Sequence, residues 1–181
     1  MTALVAWRDR FSTHLGVDSQ WTAGNERGLT DQKIWRNGDY IIGAAGSFRS
    51  IQVLRRTVGF NGKMSTRDIE DHRITEWVPK IQEAFQAQGL LLKAEDKTPT
   101  FEIDLLVASK KALVRLSGDF SVMQERLHYA AGGGAEDLAL GYLAGQKRGE
   151  GRGYGIVSGA LEACARHNNT VSKPFLIMEA K

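Results

Sequence analysis

The chain has 181 residues, of which 42% are hydrophobic, 25% are charged and only 3 are prolines, the balance of one globular domain and not of a disordered or polyproline chain. Its formal charge of +3 comes without any run of five or six like charges, which argues against a nucleic-acid partner. No segment approaches the ~18 uninterrupted apolar residues of a membrane span and the N-terminus lacks a signal-peptide hydrophobic region, so a cytoplasmic protein without membrane contact is expected.

From the N-terminus, apolar alternation at Leu4 and Ala6 and again at Phe11, Thr13, Leu15 and Val17 predicts two strands joined at Arg8-Asp9-Arg10. Trp21 to Asp31 reads as a polar loop. Lys33-Ile34-Trp35, a turn at Asn37-Gly38 and Tyr40-Ile41-Ile42 predict a further hairpin, which ends at Gly43-Ala44-Ala45-Gly46-Ser47. Ser47 is suited to cap a helix whose apolar positions are Ile51, Leu54 and Val58. Ser65 and Asp68 open a second helix with a stripe of Ile74, Trp77, Val78, Ile81 and Phe85, running to Gly89 and interrupted by Pro79, where a kink is expected.

After a polar linker at Glu95 to Thr100, the segments Ile103 to Ala108 and Ala112 to Leu116 predict a hairpin, and Ser121 to Ala131 one more strand. Ala135 to Leu143 and Ile156 to Arg166 predict two helices around the glycine-rich stretch Gly149 to Gly153, and Pro174 to Met178 a closing strand. Runs of strands and pairs of helices without regular alternation predict an α+β layered fold in a single domain. The lone Cys164, on an Ala-rich helix, reads as a small packed apolar group, and the four histidines are scattered, so no metal and no cofactor is expected.

The chemistry centres on Thr2. Once Met1 is removed, a threonine at the N-terminus supplies both a nucleophilic hydroxyl and, in its α-amine of pKa about 7.7–8.0, a base able to take the hydroxyl proton. Gly16-Val17-Asp18-Ser19, Lys33 and Ala45-Gly46-Ser47 follow at distances that resemble three sequence blocks of the proteasome β-subunits and the bacterial HslV peptidase, especially short bacterial or phage homologues without propeptides. The resemblance implies the four-layer αββα sandwich of N-terminal nucleophile hydrolases over residues 2–181, with Met1 removed.

It also implies roles. Thr2 is the nucleophile, Lys33 favours its alkoxide and disfavours a second positive charge on the amine, Asp18 offsets the lysine, and the Gly46 N–H receives the oxyanion. Trp21, Thr22, Ala44 and Ser47 fall at substrate-binding positions, Ala44 at a pocket floor. Gly133, in Gly132-Gly133-Gly134, stands where the family carries a serine near the nucleophile's amine. His167 or Asn168 stands in for a supporting aspartate, and Thr170 for a supporting serine.

The function implied is a threonine-type endopeptidase subunit of a homo-oligomeric double ring, six or seven subunits per ring, acting on peptides or unfolded proteins. Any ATPase unfoldase would be a separate chain, since no ATP-binding motif is present here. The alternatives are a small-molecule amidase of the same nucleophile class and a ring-forming scaffold of weak or no activity.

Overall fold

In the computed structural model the described residues are 2–60, 69–91, 103–110, 112–149 and 152–180. The N-terminal segment forms a tight hairpin, β1 (Leu4–Arg8) and β2 (Thr13–Asp18). Its turn is closed by Asp9, whose carboxylate accepts the N–H groups of Phe11 and Ser12, each at 2.8 Å. The predicted loop after Asp18 is instead a two-stranded ribbon, β3 (Gln20–Ala23) and β4 (Glu26–Leu29). Then come β5 (Ile34–Asn37), β6 (Tyr40–Gly46), α1 (Phe48–Thr57) and α2 (Ile69–Ala87).

The second half contains β7 (Ile103–Ala108), β8 (Leu113–Leu116), β9 (Val122–Gln124), β10 (Tyr129–Gly132), α3 (Glu136–Ala144), α4 (Gly153–His167) and β11 (Phe175–Ala180). The single strand expected over Ser121 to Ala131 is thus two short ones that belong to different sheets. The expected start of the second helix at Ser65, its Ile74 side chain and the linker at Glu95 to Thr100 lie outside the described residues.

Two antiparallel sheets, in the orders β10-β1-β2-β11 and β5-β6-β7-β8-β9, pack face to face with a helix pair on each outer side. Side-chain alternation shows how one strand serves two layers. In β1 and the residue before it, Ala3, Val5 and Trp7 face α3 and α4, among Ala139, Leu143, Val157, Ala160 and Leu161. Leu4 and Ala6 face the other sheet, against Ile41, Leu106 and Leu113. Cover on both faces buries β1, β2 and β6 almost from end to end, and β1 and β6 accordingly read as near-continuous apolar runs.

The other outer layer is built on Ile51 and Leu54 of α1 and Trp77, Ile81 and Phe85 of α2, all buried against Ile42, Ala44, Leu105 and Val107. Trp77 meets Phe60 and Tyr40 edge-on, with ring centroids 5.0 and 5.1 Å away, contacts worth about 0.5–1.5 kcal/mol each beyond the area they bury. Helix pairs outside and sheets inside give the four-layer αββα sandwich that the resemblance implies.

Candidate active site

Thr2, the start of β3, the end of β6 and the turn after β10 surround a cleft of about 850 Å³, the size of a small-molecule or peptide side-chain pocket. Thr2, Trp21, Thr22, Lys33, Gly46, Ser47 and Gly133 all line it. Seven of the residues singled out in the sequence therefore converge on one space.

Beneath Thr2, the chain is fixed by Asp18 at the end of β2. One of its oxygens accepts the Ala3 N–H at 2.9 Å, the other accepts the Gln20 N–H at 3.0 Å, and Lys33 Nζ stands 3.1 Å from both. The Lys33 ammonium also donates to the Gln20 carbonyl. Asp18 is 0% and Lys33 3% exposed, so burial pushes the carboxyl above and the ammonium below their ordinary values, while each partner's charge pulls back. A lysine held in this way is a fixed positive charge in a dry surround, where it acts more strongly on a neighbouring oxygen than it would in water.

Gly46 ends β6 with φ of +127°, a conformation open to glycine but not to residues with a Cβ. Ser47 follows as N-cap of α1, its side chain accepting the Ser50 N–H at 3.5 Å. The exposed Gly46 thus lies at a helix N-terminus that favours negative charge. The Ala44 N–H donates to the Lys33 carbonyl at 2.8 Å, so the segment carrying the cation and the strand carrying Gly46 are tied together.

The remaining predicted residues take other places. Ala44 is fully buried in the core under α1, and Ala45, on the opposite face of β6, lines the cleft instead. A pocket floor at Ala44 therefore does not match the geometry of the strand, in which consecutive side chains point to opposite faces. His167 is exposed at the end of α4. Asn168 donates from Nδ2 to the Gly134 carbonyl at 3.4 Å and accepts both the N–H and the hydroxyl of Thr170, at 2.9 and 2.6 Å. Asn168 and Thr170 therefore support the turn that borders the cleft, and His167 does not join them.

Gly133 has φ of +77°, and a Cβ there would collide with the Thr2 carbonyl oxygen and lie 3.0 Å from Ala45 Cβ. Sequence reasoning missed Asp104 and Arg49, which also line the cleft. Arg49 sits on the first turn of α1 and reaches the Gln88 carbonyl at 3.2 Å. Among the described residues no group of three or more His, Cys, Asp or Glu side chains could hold a metal ion, and no helix is long and apolar enough to cross a membrane.

No protein-family model matches the chain, and no curated protein sequence does. Solved structures do. BPH from Thiobacillus denitrificans, solved alone and in complex with epoxomicin, superposes with a TM-score of 0.82 at 16% identity, covering 100% of this chain and 98% of the other. Eukaryotic HslV from Trypanosoma brucei gives 0.70 at 17% identity over 99% of each chain. Anbu, described as an ancestral beta-subunit, from Yersinia bercovieri gives 0.68 at 13% identity over 98% of this chain and 80% of its own. End-to-end agreement at such low identity is agreement of fold, and the chain has the four-layer fold of the proteasome β-type N-terminal nucleophile hydrolases.

Proposed function

We propose that the chain is a threonine peptidase whose nucleophile is Thr2 after removal of Met1. The observation that carries this reading is the buried Asp18–Lys33 pair, which fixes a cation in the cleft that Thr2 and Gly46 also line. In this reading the Thr2 Oγ attacks a peptide carbonyl and its proton passes to the α-amine. The carbonyl oxygen takes up negative charge opposite the Gly46 N–H, the C–N bond breaks as the amine returns the proton to the leaving nitrogen, and water then releases the acyl group. Lys33 stabilises the attacking alkoxide and keeps the amine neutral and basic.

The substrate class is a peptide or unfolded protein, and the working form a closed homo-oligomeric ring, stacked in pairs, of six or seven subunits. Support comes from fold neighbours that include HslV and an ancestral beta-subunit, and from large apolar side chains left exposed on the single chain, Phe11, Leu127 and Tyr154 at 54, 54 and 61%. Any ATP-driven unfolding is the work of another chain, and the protein acts in the cytoplasm.

Intact mass spectrometry with and without epoxomicin tests the reading. Loss of Met1 and a gain of one inhibitor mass, absent in Thr2→Ala, are expected. Retention of Met1 in protein made beside an active methionine aminopeptidase overturns the reading. Glycine in place of the family serine at Gly132-Gly133-Gly134 favours one second reading, a ring scaffold of little activity, and complete loss of Met1 without labelling would select it.

A further inference from the structure

The direction of the Arg115 side chain is set by the pleat of β8. Leu113, and with it Arg115, which pairs with Leu106, stands on the face toward the first sheet, while Val114 and Leu116 pack under α1 and α2. A guanidinium on that face needs acceptors, and this one has three. Its Nε donates to Glu125 Oε1 at 3.2 Å, its Nη1 to Glu136 Oε1 at 2.8 Å and its Nη2 to the Ala131 carbonyl. The side chain is only 19% exposed, so these bonds to a rigid planar fork are screened less than those of a surface ion pair.

Two of the three acceptors flank the glycine turn. Ala131, in the edge strand β10, comes directly before Gly132-Gly133-Gly134, and Glu136, the first residue of α3, follows two positions after it. The Glu136 N–H also donates to the Gly133 carbonyl at 3.2 Å. One guanidinium therefore grips both sides of a turn whose three glycines add little stiffness of their own. The turn in its place lies against the nucleophile: a Cβ on Gly133 would stand 2.2 Å from the Thr2 carbonyl oxygen, and Gly132 pairs with Leu4, two residues beyond Thr2. Because Arg115 belongs to the second sheet and β10 pairs with β1, the same fork ties that sheet to the strand that Thr2 leads into.

We propose that Arg115 is a positioning residue for Thr2, clamping the two flanks of the glycine turn and so holding it against the nucleophile's own carbonyl. This inference rests on the peptidase reading. A displacement of about 1 Å at a reacting group can cost on the order of a hundredfold in rate, so the effect belongs in kcat and not in substrate affinity.

The test measures kcat and KM on a fluorogenic peptide for wild type, Arg115→Ala, Glu136→Ala, Glu136→Gln and the double Ala variant, with hydrogen exchange followed over residues 132–136. Arg115→Ala is expected to lower kcat about tenfold or more with KM within about threefold, and to speed exchange in the segment. Glu136→Ala is expected to lose less, and Glu136→Gln, which keeps an acceptor oxygen, to stay within about threefold of wild type. The double Ala variant is expected within about threefold of Arg115→Ala, since the two groups act through one contact. Wild-type kcat in Arg115→Ala, a loss confined to KM, unchanged exchange, or losses that multiply in the double variant overturns the assignment. If Arg115→Ala does not fold, the Glu136 pair decides: lower kcat and faster exchange in Ala but not in Gln upholds the clamp, and equal behaviour overturns it. If the wild type neither labels with epoxomicin nor cleaves peptide, the peptidase reading falls while exchange still judges the clamp: faster exchange in Arg115→Ala upholds it, and unchanged exchange overturns it.

Discussion

Lys33 Nζ stands 3.1 Å from each carboxylate oxygen of Asp18, and both side chains are withdrawn from solvent. Removing one partner of such a pair leaves the other charge buried and uncompensated, which costs about 3–5 kcal/mol. Lys33→Ala is therefore expected to lower stability by about that amount as well as to abolish turnover. The double variant Asp18→Asn with Lys33→Met, which removes both charges, is expected to recover at least half of the lost stability and none of the turnover. Urea unfolding and peptide hydrolysis measured on the same samples check both halves, and a Lys33→Ala protein as stable as wild type would contradict the first.

Restoring the family serine is constrained by the backbone. At Gly133 any side chain meets the Thr2 carbonyl and adopts a left-handed conformation costing about 1–2 kcal/mol. Gly133→Ser is expected to lower the melting temperature by about 5 °C or more. At Gly132 an added Cβ lies 3.4 Å from Leu4 Cδ1, an ordinary contact, and Gly134 is exposed and lines the cleft. Gly132→Ser and Gly134→Ser are expected to melt within about 2 °C of wild type, and at least one of them to raise peptide turnover. Differential scanning fluorimetry with a hydrolysis assay separates the three.

How far the sequence discloses this cleft depends on whether a residue's role is set along the chain or across it. Thr2, Asp18, Lys33 and Gly46 stand at or next to strand ends whose spacing is a property of the linear pattern; Thr2, Lys33 and Gly46 line the cleft, and Asp18 lies beneath it, paired with Lys33. The β3–β4 ribbon reads as a loop because its β4 residues are exposed or half-buried, so no apolar alternation marks it. Nothing local marks where Ser121 to Ala131 leaves one sheet for the other, since both halves carry strand-like residues. Asp104 looks like a lone acid in a hairpin until the register sets it across from Ala45, at the lining of the cleft. Ala44 and Ala45 are one residue apart, and only the pleat decides which of them faces the cleft.

Cys164 is fully buried on α4, its Sγ 3.7 Å from the Ala135 carbonyl, and burial pushes its thiol up to about 11. The nucleophilic thiolate is therefore scarce at neutral pH. Iodoacetamide at about pH 8 is expected to leave the native protein unmodified and to add one carbamidomethyl group in guanidinium. Rapid native labelling, read by intact mass, would show that α4 opens locally.

Asp9 gives the acid limb of stability. Burial works against its charge, but the Phe11 and Ser12 N–H groups, together with the His14 ring and the Ser12 hydroxyl, hold its carboxyl below its ordinary value of 3.8. A carboxyl depressed on folding stabilises the native state above its unfolded pKa, and the contribution disappears as pH falls through the folded value. The stability difference between wild type and Asp9→Ala is therefore expected to be full above about pH 5 and to shrink steadily below it. Denaturant melts at several pH values measure this, and a difference that does not change with pH would place the effect in the hydrogen bonds alone.

The groups that satisfy Asp18 come from positions 3, 20 and 33, which are the lead-in to the first strand of one sheet, the start of the two-stranded ribbon and the lead-in to the first strand of the other. No one of these pieces can bury the carboxylate by itself. During folding, a docked first hairpin without the second sheet would hold an acid that still needs water, and a second sheet without the first would hold a lysine in the same condition. The pair therefore closes only when the two sheets come together, so the cation's place in the cleft depends on both. A chain in which only one sheet has formed lacks the paired cation of the cleft, so whatever reaction the cleft performs needs both sheets.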